Sequence, residues 1–145
     1  MLKKATIEDI TTVAQLAMAL WPDNEVVTLA DEMKNIIVQP DAVIFLAFSE
    51  HEEIGFAQCQ IRHDYVEGTA TSPVGYLEGV YVKDAYRQKG VARELIATCE
   101  QWAKTQGCKE FASDCELHNE ESLAMHIRLG FIEANRIICF TKTLI

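Results

Sequence analysis

Residues 76–102 place the strongest constraint on the fold of this chain. They begin with β-branched and aromatic residues, cross a short charged turn, and reach Gly90, after which apolar residues recur at helical spacing. The pattern predicts a strand, a loop and a helix in direct succession. Residues 87–93, RQKGVAR, carry three cations and no acid in a chain whose net charge is −9. A loop of this kind is suited to an anion.

The start of the predicted helix gives the anion site a physical basis. The first four N–H groups of a helix have no partner inside it, and the peptide dipoles leave about half a positive charge there. Gly90 has no side chain, so a ligand can approach the backbone closely. The turn could therefore hold a phosphate or pyrophosphate. An ordinary strand–helix turn with solvated basic residues explains the same pattern.

Length and composition indicate one globular domain, residues 1–145. With 49% hydrophobic and 24% charged residues the chain can bury a core. No apolar run approaches the roughly 20 residues that span a bilayer, and we identify no signal peptide, so we expect a cytoplasmic protein. The five cysteines form no CxxC pair, which favours reduced thiols over metal ligands or disulfides. The negative charge disfavours nucleic acid and anionic membranes as partners and suits a cationic one.

The order of predicted elements indicates a mixed sheet. We expect strands at 3–7, 42–48, 54–62, 74–82 and 109–115, with one or two more in 131–145, and helices at 10–20, 25–39, 90–106 and 119–129. The apolar pattern slips near residues 56 and 57, which predicts a bulge or burial on both faces of that strand. Strands that first meander and then alternate with helices favour at least one parallel crossover around the basic turn.

Glu78 interrupts the apolar face of the predicted strand 74–82. Simple alternation puts it on one face with Val74, Tyr76, Val80 and Val82. A carboxylate there is costly unless it is paired or opens onto a cavity. Either it has a structural role, capping the end of the sheet or pairing with an arginine, or it faces a polar cleft. Gly79 beside it predicts a bulge or a close backbone approach.

Two segments together resemble the GNAT superfamily of N-acetyltransferases. Residues 87–92, RQKGVA, are similar to its Q/R-x-x-G-x-G/A signature and follow the fourth strand, where that family has it. Asn119, followed by Gly130 and Phe131, resembles the second shared region. The resemblance implies an α/β fold with a mixed, mostly antiparallel twisted sheet of about seven strands and about four helices on both faces. It also implies acetyl-CoA as co-substrate, without a metal.

Further segments resemble the aminoglycoside 6'-N-acetyltransferases within that superfamily. They are residues 20–22 (LWP), 61–66 (IRHDYV), 72–73 (SP), 76–79 (YLEG) and 112–114 (ASD). Because they lie outside the coenzyme signature, they concern the acceptor. The likeness implies an acceptor pocket lined by Trp21, Asn24, Tyr65, Glu78, Asp114 and Asn135, and a homodimer.

The same resemblance assigns residues to the coenzyme. Backbone amides of the basic turn would hold its pyrophosphate. This turn comprises Arg87, Gln88, Lys89, Gly90, Val91, Ala92 and Arg93. Its pantetheine arm and acetyl group would pair in a β-like manner with Val80, Tyr81 and Val82. Asn119 would contact the same arm.

Acetyl transfer to an amine requires a proton acceptor, and Glu78 on the predicted strand 74–82 is a candidate for it. The attacking amine must be neutral, whereas an aliphatic ammonium titrates near pH ~10. Glu78 could accept the proton directly or through water, and a backbone N–H near Val80 or Tyr81 could stabilise the oxyanion. His126 stands where many superfamily members have a tyrosine that protonates the leaving thiolate. A histidine at such a position is more often an ordinary helix residue.

These observations lead to one main hypothesis and two alternatives. The main hypothesis is an aminoglycoside 6'-N-acetyltransferase that confers antibiotic resistance. The second keeps the fold and acetyl-CoA but acetylates a polyamine or a protein amino group. The third is a module that binds coenzyme A or another anion without catalysis.

Overall fold

A computed structural model describes all residues 1–145 as five strands and four helices. The strands are β1 (Leu2–Lys4), β2 (Ala42–Ser49), β3 (Glu52–Arg62), β4 (Val74–Val82) and β5 (Phe111–Ser113), and the helices are α1 (Ile10–Ala17), α2 (Val26–Ile37), α3 (Val91–Thr105) and α4 (Glu120–Arg128). Short 3-10 turns lie at Ile7–Asp9 and Asp84–Tyr86. None of the four helices combines the length and apolarity needed to cross a bilayer.

The strands form a single mixed sheet in the order β1-β2-β3-β4-β5. The first three pairings are antiparallel, and β4 pairs with β5 in parallel after the chain crosses over through α3. The mixed sheet and its parallel crossover at the basic turn are confirmed. The expected count of about seven strands is wrong, because residues 131–145 form no strand and leave large apolar side chains exposed.

Helices cover both faces of the sheet. On one face α1 and α2 bury Val13, Leu29 and Met33 against Phe56 of β3. On the other, α3 packs Leu95 and further residues against the opposite side of the same strands. Since successive side chains of a strand point to opposite faces, β3 has apolar residues on both, which confirms the expected two-sided burial.

A β-bulge at Glu78 changes the phase of β4. Gln58 of β3 lies opposite Gly79, whereas Cys59 lies opposite Leu77, so Glu78 is the extra residue. Val80 and Val82 consequently pack in the α3 core, away from the Val74 and Tyr76 cluster. The expectation that all five alternating residues share one face is wrong, because an inserted residue reverses the phase. The expected bulge is confirmed.

Gly79 also permits a close approach. A Cβ added at this position would lie 3.0 Å from the ring of Trp21. The ring also packs against Phe56, with centroids 6.4 Å apart. The bulge and the segment after α1 are thereby brought together.

Candidate active site

The basic loop before α3 presents a row of free backbone donors. The six amides from Gln88 to Arg93 make no hydrogen bond within the protein. Gln88 and Gly90 have positive φ angles of 60° and 85°, and a Cβ added at Gly90 would meet no atom within 4 Å. Amides at the N-terminus of a 15-residue helix form a site to which phosphate oxygens bind well.

Arg87 supports this loop from within. Its Nε donates to the backbone oxygen of Val82 at 2.8 Å, and its guanidinium pairs with Asp84 at 2.9 Å. Below the loop, the hydroxyl of Tyr86 donates to Glu52 at 2.9 Å. That hydrogen bond, with a second from Lys83, lowers the pKa of Glu52. The exposed side chains of Lys89 and Arg93 form no ion pair within the protein.

The two parallel strands separate after a short pairing. Their last matched residues are Leu77 and Ser113, while β4 continues to Val82. The edge of β4 from Glu78 onward therefore has no β5 partner. Val80, Tyr81 and Val82 lie on this open edge, which leads toward the basic loop. An extended, amide-containing arm can pair with such an edge as an added strand would.

His126 is fixed at the point where the strands separate. Its Nδ1 lies 2.7 Å from the backbone oxygen of Ser122, its Nε2 lies 2.8 Å from Oγ of Ser113, and its ring contacts Phe131 edge-on at 4.9 Å. The imidazole therefore contacts the Ser113 hydroxyl directly, in addition to its contacts with the backbone oxygen and hydroxyl of Ser122. Ser113 was not singled out from the sequence, because its role depends on its contact with His126 in space.

Asn119 caps the helix that carries His126. Its side-chain oxygen accepts the backbone N–H of Ser122 at 3.1 Å, the usual role of an asparagine at this position. The cap fixes the first turn of α4, and the side-chain NH₂ makes no hydrogen bond to the protein.

Glu78 belongs to a chain of polar contacts across three strands. Arg62 donates to both carboxylate oxygens, with its Nη2 at 3.0 and 2.9 Å, and stacks its guanidinium 3.4 Å from the ring centroid of Tyr76. The hydroxyl of Tyr76 donates to Asp114. Burial, followed by the hydrogen bond to Asp114, raises the pKa of Tyr76. The carboxylate is thus paired with an arginine, and it also lines a cleft.

A cleft of about 340 Å³ opens beside this bulge. It lies between α2, the loop that precedes this helix, and strands β3 and β4, and its walls are Trp21, Asn24, Leu29, Glu32, Met33, Ile36, Gln58 and Glu78. Three of the six predicted acceptor residues, Trp21, Asn24 and Glu78, therefore line one cavity. An aromatic ring, two carboxylates and two amides can receive a cationic, hydroxylated molecule.

Tyr65 and Asn135 lie outside the cleft and meet each other through Glu67. The hydroxyl of Tyr65 donates to the Glu67 carboxylate, and the Asn135 amide donates to it at 3.2 Å. These two hydrogen bonds lower the pKa of Glu67. Tyr65 is 79% exposed.

The remaining reactive groups form no second catalytic arrangement. All five cysteines are free, and the hydrogen bond between Cys59 and Cys99, with burial, raises the pKa of Cys59. No group of three or more His, Cys, Asp or Glu side chains is placed to bind a metal ion.

Comparison with known proteins decides the family. The model of the acetyltransferase (GNAT) family matches residues 10–131. The chain belongs to this family. The free amides before α3 and the open edge of β4 fit coenzyme A, because they offer donors to phosphate and an unpaired strand edge to an amide-containing arm.

Similar GNAT proteins include enzymes with a defined acceptor. The aminoglycoside N(6')-acetyltransferase type 1 of Acinetobacter haemolyticus is 43% identical, over 97% of each chain, and that of Serratia marcescens is 40% identical, over 89% of each. The structure of aminoglycoside N-acetyltransferase AAC(6')-Iy in complex with CoA superposes with a TM-score of 0.96, at 35% identity, over 99% of this chain and 95% of the other. A Bacillus halodurans transcriptional regulator, 16% identical over 98% of this chain and 99% of the other with a TM-score of 0.80, shares the fold alone.

Proposed function

We propose that this GNAT protein is an aminoglycoside 6'-N-acetyltransferase that confers resistance to these drugs. The observation that carries the proposal is the position of Glu78. This residue lies at a bulge of β4, its side chain faces the cleft, and the edge of β4 beyond it is open to coenzyme A. Enzymes of this name are up to 44% identical to the chain. A relative has also been solved with a bisubstrate analogue, CoA-S-monomethyl-acetylneamine.

Bound acetyl-CoA would supply a thioester carbonyl beside the bulge. The backbone of Gln88 to Arg93 and the side chains of Lys89 and Arg93 hold the phosphates, and the edge from Val80 to Val82 pairs with the pantetheine arm. Asn119 offers its free amide NH₂ to the same arm. A backbone N–H near Val80 or Tyr81 would stabilise the oxyanion, an effect typically worth ~10²–10³ in rate for each donor.

Glu78 acts as the general base. The nitrogen of the acceptor forms a bond to the carbonyl carbon and gives up a proton. Because Arg62 holds both carboxylate oxygens, that proton reaches Glu78 most directly through a water in the cleft. General base assistance is typically worth ~10²–10⁴ in rate.

Ser113 and His126 serve the leaving group. When the C–S bond breaks, its electron pair stays on sulfur, and the hydroxyl of Ser113 gives this sulfur a proton. Protonated His126 replaces that proton through Nε2, while its Nδ1–H remains bound to the backbone oxygen of Ser122. His126 would therefore be the proton reservoir, and Ser113 would be the group that donates a proton to the sulfur.

Charge and shape select the acceptor. Trp21 and Asn24 line the cleft with Glu78, and Asp114 ends the polar chain that begins there. Tyr65 and Asn135, joined through the carboxylate of Glu67, form a polar group outside the cleft that a longer acceptor would contact. Aminoglycosides carry several ammonium groups, and two unit charges ~4 Å apart attract by ~4 kcal/mol at an effective dielectric of about 20.

A thiol-release assay with a panel of amines tests the proposal. Kanamycin or tobramycin should release coenzyme A from acetyl-CoA faster than spermidine or a lysine peptide does. Turnover only with the latter would favour the polyamine or protein acceptor. Acetyl-CoA binding without turnover of any amine would favour the non-catalytic module, although a carboxylate on an active-site cleft serves no purpose there.

We further propose that the protein is a cytoplasmic homodimer. Its last 15 residues carry exposed apolar side chains, among them Ile132, Ile138 and Phe140, which are 74–90% exposed. A patch of this kind marks an interaction surface, and a second copy would cover it. Light scattering should give twice the mass of 16.3 kDa, and Phe140→Glu should shift the protein to monomer.

A further inference from the structure

The cleft beside Glu78 contains a buried polar group that no contact within the protein explains. Gln58 is 8% exposed, and its side-chain oxygen Oε1 is the only buried side-chain oxygen or nitrogen without a hydrogen-bond partner. A buried acceptor without a partner costs free energy. Such a cost is tolerated where a ligand supplies the missing donor.

The sheet gives Gln58 a fixed relation to the catalytic bulge. It lies on β3 directly opposite Gly79, beside the inserted Glu78. Being two residues from Phe56, its side chain faces α1 and α2 and forms part of the cleft wall together with Trp21. The central position of β3 between β2 and β4 leaves the backbone little freedom to move.

The chemistry of the orphan atom defines its ligand. An amide oxygen accepts hydrogen bonds and donates none, so its partner must be an ammonium, amine or hydroxyl. We infer that Gln58 is a positioning residue for the acceptor: its Oε1 accepts a hydrogen bond from a donor group of the molecule held between Trp21 and Glu78. This inference rests on the proposed function for the identity of that molecule.

Specificity follows from the same atom. A site built to accept a hydrogen bond discriminates against molecules that lack the donor, because the buried acceptor is then left unpaired. Gln58 therefore favours acceptors that bring a polar, hydrogen-bearing group to the base of the cleft over those that bring an apolar group.

Gln58→Met tests the inference, with Gln60→Met as a matched control. Methionine keeps the length of the side chain and removes the acceptor. Gln60 lies on the same strand and face but outside the cleft. We expect Gln58→Met to lower kcat/KM for kanamycin about 10- to 100-fold, to leave KM for acetyl-CoA within about twofold, and to raise the melting temperature. Gln60→Met should change neither kinetic constant appreciably.

A second variant separates positioning from damage to the fold. Gln58→Glu retains an acceptor oxygen, so it should recover much of the kcat/KM that methionine loses. Equal losses in both variants, or unchanged acceptor kinetics in Gln58→Met, would overturn the inference. The proposed function is tested separately, by the acceptor preference of the wild-type protein. If the wild type acetylates another amine instead of kanamycin, the Gln58 variants are assayed with that amine, and the same changes in kcat/KM support or overturn the inference.

Discussion

Arg62 holds Glu78 through both carboxylate oxygens, at 3.0 and 2.9 Å from a single guanidinium nitrogen. The same guanidinium lies 3.4 Å from the ring centroid of Tyr76, so its orientation is set by the sheet. The pair therefore keeps the carboxylate of the bulge aimed at the cleft.

The first prediction is that Arg62 and Glu78 act as one unit. Glu78→Gln should lower kcat/KM about 10²–10⁴-fold, since an amide cannot accept the proton. Arg62→Met should lower it less, because the base remains but loses its orientation. In the Glu78→Gln background, Arg62→Met should have little further effect on steady-state kinetics. Fully additive losses would mean that Arg62 does not act through Glu78.

The second prediction concerns Gly90, with Gly107→Ala as control. Gly90 and Gly107 have φ angles of 85° and 92°, and a Cβ added at either would meet no atom within 4 Å. Alanine at either position should therefore lower the free energy of unfolding by about 1–2 kcal/mol through backbone strain alone. Only Gly90→Ala places a methyl beside the free amides of the basic loop. It should raise KM for acetyl-CoA about tenfold, and the same KM in both variants would contradict the assigned phosphate site.

The third prediction uses the pH dependence of Tyr76. Tyr76→Phe removes a hydrogen bond to Asp114 and should lower the free energy of unfolding by about 0.5–1.5 kcal/mol near neutral pH, since the Asp114 carboxylate is exposed. Burial and Asp114 raise the pKa of this phenol above its ordinary 10.0. A raised native pKa gives stability that is fully present below pH ~10 and is lost as pH rises beyond it. Denaturation in urea should thus show the difference between the two proteins narrowing above pH ~10; a constant difference would argue against the burial.

The fourth prediction separates acceptor from coenzyme at Asp114. Asp114→Ala should raise KM for kanamycin about five- to tenfold, the modest size reflecting its exposure, and leave KM for acetyl-CoA unchanged. Glu116→Ala, two residues along, should affect neither. Tyr76→Phe removes the hydrogen bond between Tyr76 and Asp114 but keeps the Asp114 carboxylate. An equal rise in KM for kanamycin in Tyr76→Phe would therefore mean that the hydrogen bond, and not the charge of Asp114, causes the effect.

The basic loop could be predicted because its determinants are local. Gly90 sets the backbone conformation, and the helix that follows exposes its own amides. The phase of β4 after Glu78 could not be predicted, because the bulge is fixed by pairing with β3 and by the ring of Trp21 against Gly79. Strand propensity also mispredicted residues 131–145, since a strand needs a partner edge as well as β-branched residues.

Side-chain partners were harder to anticipate than backbone elements. Glu78 could be singled out because a carboxylate in an apolar pattern needs an explanation, and pairing with an arginine was one of two alternatives. That it both pairs and lines a cleft depends on Arg62, which lies 16 positions away in the sequence. Gln58 and Ser113 were missed because a single polar residue in a strand shows its role only when its neighbours in space are known.

The most direct test of the central claim is acetyl transfer to two aminoglycosides that differ only at the 6' position, such as neomycin with an amine there and paromomycin with a hydroxyl. Coenzyme A release and mass spectrometry would follow both reactions. The account predicts rapid monoacetylation of neomycin at the 6' nitrogen and little or no reaction of paromomycin. Equal turnover of the two drugs, or acetylation of neither, would contradict it.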